Sequence, residues 1–302
     1  MKMATASKHK RRGDLFIKDV RLELTEPWTV DKLKELQPPD TFVGRDAELR
    51  LCRAAWGLNR DGTEFRKDDA TPMYFRLEGE PGVGKNAIVY QTAILLNRPL
   101  YVLQGHEDLT PEDLAIALVP TDRRDMPFVL RAGPLASAIY RGGLVFFNEI
   151  NRVPQKTLAQ LASVLDARQA IFSAMANIWI ERDSKAPPTF RFCCAMNPNA
   201  PDAGLLPDYV RERTLPAVRV DYLKLPELLK VIMKSVHPPQ PLLDAYEEWH
   251  RDRPVSSRVA IYIVRLASIL MEQGKKLSPK GAIAKAVESS GLVQRDEVPE
   301  KH

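Results

Sequence analysis

The sequence predicts an α/β fold in which helices flank a central parallel sheet, followed by a small all-helical domain. Short apolar runs at Met73–Glu78, Leu100–Leu103, Leu144–Phe147, Phe190–Met196 and Ala217–Val220 alternate with helical patterns. Such alternation argues for a parallel sheet covered on both faces. Beyond residue 224 the strand signal ends, and helical periodicity alone continues. A chain of 302 residues with 44% hydrophobic content is long enough to bury one substantial core and a smaller second one.

The elements follow in order. Residues 1–13 form a basic tail expected to be disordered, and residues 14–40 an N-terminal extension, in which Val20–Leu24 alternates as a short half-buried strand does. Pro38-Pro39 breaks the chain before Phe42-Val43-Gly44-Arg45, and a helix is expected from Asp46 to Leu58. The core spans residues 41–224, with helices at Ala87–Leu96 and at Thr157–Leu165, where Leu158, Leu161 and Leu165 share a face. In the lid, residues 225–302, helices are expected at Glu227–Val236, Leu242–Arg251, Arg258–Glu272 and Pro279–Ser289. No internal repeat is present.

Charge and cysteine content narrow the function classes. The net charge of +5 comes from 44 basic and 39 acidic residues. Residues 1–12 carry Lys2, Lys8, Lys10, Arg11 and Arg12 without an acid, so the body is neutral in sum. A neutral body argues against a nucleic-acid-binding surface. No run reaches the ~18 apolar residues of a membrane span; the richest, Ala260–Leu270, contains Arg265. Gly13-Asp14 directly follows the basic tail, where a secretory signal would place its apolar region. Cys52, Cys193 and Cys194 have the spacing of neither a disulfide framework nor a zinc site, and read as small core residues of a cytoplasmic protein.

The first chemical motif is Gly79-Glu80-Pro81-Gly82-Val83-Gly84-Lys85, which fits the first seven positions of the phosphate-binding P-loop and lies between a predicted strand and a predicted helix. Glycines let successive amides face a phosphate, and the helix beginning near Ala87 adds its positive end. Lys85 reaches the outer phosphates as a compact charge. The expected ligand is ATP with Mg²⁺. The eighth position, ordinarily a Ser or Thr that ligates the metal, is Asn86. Its amide oxygen is also a hard donor, but it sits one bond further out, so octahedral geometry is harder to meet.

A second motif is the buried strand Leu144–Phe147 running into Asn148-Glu149. P-loop ATPases end this strand in Asp-Glu, the first carboxylate serving the metal's water shell and the second the attacking water. Glu149 is present, but Asn148 replaces the aspartate, so both metal-side positions, Asn86 and Asn148, are neutral amides.

Gly133-Pro134-Leu135 and Gly142 through Arg152, with its Phe147-Asn148-Glu149-Ile150-Asn151-Arg152, resemble the MoxR group of AAA+ ATPases, to which CbbQ, NorQ and GvpN type proteins belong. The resemblance covers residues 40–290. It continues through Cys194-Ala195-Met196-Asn197-Pro198, Leu206-Pro207 to Arg213, and Ser256-Ser257-Arg258. It implies that Asn197 is the sensor 1 asparagine, Arg213 the arginine finger (with neighbouring Arg211 able to take its place) and Arg258 the sensor 2 arginine. It places Val43 and Gly44 against the adenine. It also implies a hairpin around Phe128-Val129-Leu130 and another within Ile171–Pro188, both facing a central pore.

The implied protein is an ATP hydrolase working as a ring of six, with ATP at each subunit interface. It would remodel a partner protein, often one with a von Willebrand factor A domain. A nucleotide-gated assembly or adaptor subunit that hardly hydrolyses ATP is the alternative favoured by the two asparagines. A nucleic-acid motor or a GTPase of the McrB kind is opposed by the neutral body. Met196-Asn197-Pro198-Asn199 also opposes it, because it departs from the Asn-Thr-Ala-Asp signature of that group.

Overall fold

The computed structural model describes residues 15–17, 20–58, 73–122, 124, 127–187, 189–200, 204–251, 254–273 and 277–291. The basic tail of residues 1–13 lies outside them. The chain begins with strands β1 (Leu15–Ile17) and β2 (Val20–Leu24), then α1 (Val30–Leu36), a 3-10 turn at Pro39–Thr41 and α2 (Asp46–Trp56). Thr29 caps α1 by accepting a hydrogen bond from the Lys32 amide, and α2 stops at Gly57 in the left-handed region.

Next come β3 (Phe75–Glu78), α3 (Lys85–Leu95), β4 (Leu100–Gln104), α4 (Pro111–Leu114), β5 (Ile116–Pro120), β6 (Phe128–Ala132), α5 (Pro134–Arg141) and β7 (Leu144–Asn148). They are followed by α6 (Gln155–Leu158), α7 (Leu161–Val164), β8 (Ile171–Ser173), β9 (Ile178–Ile180), β10 (Arg191–Met196), α8 (Asp208–Arg213) and β11 (Ala217–Arg219).

Five strands form one sheet in the order β11-β3-β10-β7-β4, with every neighbouring pair parallel. Side chains alternate across it and feed two apolar layers. Phe192, Cys194, Val145, Phe147 and Tyr101 pack on one side, and Cys193, Ala195, Leu144, Phe146, Phe75 and Leu77 on the other. Each of the buried Val, Leu and Phe side chains among these contributes roughly 1.5–3 kcal/mol. The adjacent cysteines thus face opposite layers. Burial pushes the Cys194 thiol up to about 12, as it does that of Cys52, which suits inert core residues.

The N-terminal extension has a partner that local pattern does not reveal. β2 runs parallel to β6, which pairs antiparallel with β5, giving a second sheet in the order β1-β2-β6-β5. Arg131 pairs with Glu23 at 3.1 Å, and Thr25 Oγ1 donates to the Ala132 carbonyl at 2.8 Å. The expected hairpin around Phe128-Val129-Leu130 is therefore β5–β6, set between α4 and α5 and tied to the start of the chain. The hairpin expected within Ile171–Pro188 is β8–β9, with Phe172 and Trp179 ring centroids 5.3 Å apart.

The helix expected over Thr157–Leu165 is instead two single turns, α6 and α7, separated at Ala159–Gln160. Thr157 Oγ1 donates to the Leu109 carbonyl at 2.8 Å, and the break lets Leu158, Leu161, Val164 and Leu165 all reach the core.

After β11 the described residues form helices only: α9 (Leu225–Val236), α10 (Gln240–His250), α11 (Ser257–Glu272) and α12 (Pro279–Ser289). Leu228, Ile232, Leu242, Tyr246, Ile263 and Ile283 are buried in their shared core. Ser256 and Ser278 cap α11 and α12 by accepting from the Val259 and Gly281 amides. Among the described residues no helix is long and apolar enough to cross a membrane.

Candidate functional site

β3 delivers the chain into Gly79–Gly84, and α3 begins at Lys85. Gly84 caps the helix at φ 101°, a conformation that side chains strain to adopt, and a Cβ on Gly79 would collide with the Val220 carbonyl. Lys85 Nζ donates to the carbonyls of Gly79 at 2.6 Å and Glu80 at 2.9 Å. Burial holds its pKa below the ordinary lysine value; the carboxylates of Glu80 and Glu149 oppose that shift and Arg258 adds to it. Loop lysine, strand-end glutamate and lid arginine thus share one electrostatic neighbourhood.

Beside the loop lies a cavity of about 500 Å³ between the sheet domain and the lid helices. Phe42, Val43 and Arg45 line it from ahead of α2, Val83, Gly84 and Ala87 from the loop and α3, and Leu223, Val231, Ile261 and Arg265 from the lid side. The neighbouring Gly44, at φ 72°, faces Glu227 of α9 closely enough that a Cβ there would meet its side chain. Gly82 faces Ser256 and Arg258 at the start of α11 in the same way. A smaller cleft of about 230 Å³, on the β11 side of the loop, includes Gly79, Glu80, Pro198 and Asn199. Pro81 is the exposed tip of the loop.

The other polar groups come from strand ends. Asn197 follows β10 directly, and its Oδ1 accepts from the Asn199 amide at 3.2 Å. Asn199 Nδ2 reaches Glu80 Oε1 at 2.6 Å, fastening this turn to the Gly79–Gly84 loop. Asn148 ends β7 and donates through Nδ2 to Gln104 Oε1 at 2.9 Å. Glu149 sits at φ 51°, in the left-handed region, and its carboxylate pairs with Arg152 at 3.4 Å. A non-glycine residue held there stores strain of about 1–3 kcal/mol, a feature that clusters at functional sites. The turn is braced by Gly105, whose amide donates to the Asn148 carbonyl at 2.8 Å. Asn86, in the first turn of α3, lies beside the Tyr90 hydroxyl one turn later, where it opposes the upward push that burial gives the tyrosine pKa.

Magnesium takes hard oxygen ligands, commonly one or two carboxylates together with substrate phosphates. Asn86 and Asn148 offer amide oxygens of the right hardness and no charge. Among the described residues no group of three His, Cys, Asp or Glu side chains converges as a metal cage. The donor set therefore fits a cation arriving on phosphates rather than one held beforehand.

Arg211 and Arg213 stand apart from this cluster. Both are exposed at the end of α8. Arg211 pairs with Asp208 at 2.6 Å, whereas among the described residues Arg213 Nη1 donates to its own helix, at the Tyr209 carbonyl, 3.2 Å away. Arg76 of β3 binds Glu78 and the Arg211 carbonyl, connecting α8 to the strand that feeds the loop.

Gln104, Tyr90, Arg152 and Asn199 are site residues that sequence reasoning did not assign. Gln104 carries the signal that exposed Asn148, a polar residue closing an apolar strand, but its importance depends on strand register.

Residues 75–212 match the family model described as AAA domain (dynein-related subfamily). The chain is 32% identical over 155 residues to the denitrification regulatory protein NirQ of Stutzerimonas stutzeri, covering 48% of this chain and 50% of that protein. It is 31% identical over 110 residues to the von Willebrand factor A domain-containing protein 8 of Mus musculus, covering 36% of this chain and 6% of that one. The matched region spans half or less of the length of these two relatives. Among solved structures, a P216G mutant of Thermotoga maritima RuvB superposes with a TM-score of 0.56 at 16% identity, covering 89% of this chain and 74% of that one. At that identity the likeness establishes the fold alone.

Proposed function

We propose that this chain is a MoxR-type AAA+ protein that binds ATP between its sheet domain and lid, hydrolyses it slowly, and uses the cycle to remodel a partner protein. The observation that carries the reading is Lys85, which follows the Gly79–Gly84 loop and feels the charges of Glu149 and Arg258, next to the 500 Å³ cavity that Val83, Gly84 and Ala87 line. Residues 41–224 would act as the nucleotide-binding core and 225–302 as the lid.

Each residue then has a task. The loop amides and Lys85 hold the phosphates, while Phe42, Val43 and Ile261 offer apolar contact to the base. Asn86 and Asn148 are the side chains that would hold magnesium, which supplies charge neutralisation to the phosphates. Glu149 orients the attacking water, and Asn197, whose Oδ1 is engaged by Asn199, helps position it through its NH₂ group. Phosphoryl transfer is catalysed mostly by such positioning and electrostatics. Arg213, exposed at the end of α8, acts on a neighbouring subunit's ATP in a homo-oligomer, most simply a ring of six. Arg258 reports the γ-phosphate to the lid.

The partner is a protein with a von Willebrand factor A domain, as the name of the mouse relative suggests. Such work fits the cytoplasm, where the three buried free cysteines stay reduced. A second reading, an ATP-gated assembly subunit with almost no turnover, is favoured by one feature: both metal-side positions, Asn86 and Asn148, carry neutral amides.

Calorimetric titration with ATP tests the binding claim. The unmodified chain should bind and folded Lys85→Ala should not; equal affinity would remove the phosphate-loop assignment.

A further inference from the structure

A carboxylate at the end of β7 would present two equivalent oxygens to a cation. An amide presents one oxygen and one NH₂ group, so its orientation decides whether it attracts a cation or repels it. At Asn148 that orientation is set by a neighbour. Gln104 is its register partner on β4, and Asn148 Nδ2 donates to Gln104 Oε1 at 2.9 Å. Gln104 Nε2 is turned to the Gly105 carbonyl at 3.4 Å, which leaves the glutamine oxygen facing Asn148.

Sheet order supplies the direction. β4 is the outer edge, on the far side of β7 from β10 and β3, and the phosphate loop follows β3. The Asn148 NH₂ group is thus drawn toward the edge and away from the loop. Because the two arms of a planar amide diverge, Oδ1 is left for the loop side.

We propose that Gln104 is a positioning residue: by accepting from Asn148 Nδ2, it keeps Asn148 Oδ1 turned toward a magnesium–nucleotide complex. The proposal rests on the reading of this site as one for magnesium and ATP. A merely structural Gln104 would join two strand ends and have no bearing on metal.

The test is the Mg²⁺ concentration at which a slowly hydrolysed ATP analogue is half-maximally tightened on the full chain, a binding measurement independent of turnover. Gln104→Glu keeps an acceptor, and the Mg²⁺ requirement should stay within about twofold; Gln104→Lys offers donors only, turns the amide around, and should raise the requirement about tenfold or more. Gln104→Met, which removes the acceptor without adding charge, should shift it in the same direction by less, and serves if the lysine variant does not fold.

The deciding comparison repeats these changes with Asn148→Asp. A carboxylate can pair one oxygen with the lysine and still offer the other to the cation, so Gln104→Lys should then cost little. Equal losses in both backgrounds would mark a simple charge or packing effect and overturn the proposal. So would an unchanged Mg²⁺ requirement in Gln104→Lys with nucleotide binding intact. If the unmodified chain bound no nucleotide, the magnesium–ATP reading would fail first and this inference with it.

Discussion

Arg45 and Asp221 stand 176 positions apart in the chain, yet Arg45 Nη2 donates to the Asp221 carbonyl at 2.6 Å. The same nitrogen donates to the Val83 carbonyl in the phosphate loop at 2.8 Å, and Nη1 pairs with Glu48 at 2.9 Å. Arg45, a residue only 6% exposed, therefore ties the loop to the segment leading into the lid. Arg45→Met would leave Glu48 and two carbonyls without this partner and should destabilise the fold by about 3 kcal/mol, read from urea unfolding. ATP affinity should fall as well, because Arg45 lines the cavity. A change below about 0.5 kcal/mol, typical of an ordinary surface site, would contradict this.

Lys85 gives a pH prediction. In the free protein burial lowers its pKa from the ordinary 10.5, so it loses its proton earlier than an exposed lysine would. Bound phosphates favour the ammonium and raise that value again. ATP binding should therefore take up protons, and affinity should fall as pH rises through the free protein's lowered value. Calorimetry in buffers of different ionisation enthalpy, at alkaline pH approaching the ordinary lysine value of 10.5, measures the uptake. Proton release there, or affinity rising with pH, would count against the placement of Lys85 at the phosphates.

The contrast between the two α8 arginines gives a prediction about assembly. Arg211 is engaged by Asp208, while among the described residues Arg213 meets a carbonyl of its own helix and no carboxylate. Arg213→Ala should bind ATP normally and lose more than tenfold in turnover, since fingers elsewhere contribute about 10³–10⁵. Arg211→Ala should lose less. Mixing Arg213→Ala with Lys85→Ala should restore part of the activity, because one variant keeps an intact site and the other keeps the finger. A monomer with full turnover would exclude a finger acting between subunits.

What could be read from the sequence follows from how local each signal is. The phosphate loop, the five core strands and the four lid helices depend on glycine spacing, apolar runs and periodicity within about a dozen residues. The pairing of β2 with β6 joins Glu23 to Arg131, and nothing near Glu23 announces that partner. The break at Ala159–Gln160 was hidden because Leu158, Leu161 and Leu165 keep helical spacing across it. At the site, Asn86 and Asn148 were conspicuous as departures from a motif. Tyr90 and Gln104 were not, because their significance comes from side-chain contacts and strand register.

The central claim is that two neutral amides slow an otherwise complete ATP site. Steady-state ATP turnover with Mg²⁺ measures it most directly, comparing the unmodified chain, Asn148→Asp combined with Asn86→Thr, and Glu149→Gln. The unmodified chain should turn over below the ~1 s⁻¹ lower end of typical enzymes. The combined replacement should be faster, and by more or less than its two changes add separately, since both serve one metal. Glu149→Gln should remove what activity remains. Brisk turnover in the unmodified chain, or no gain from the combined replacement, would show that the asparagines are adequate ligands and not a brake.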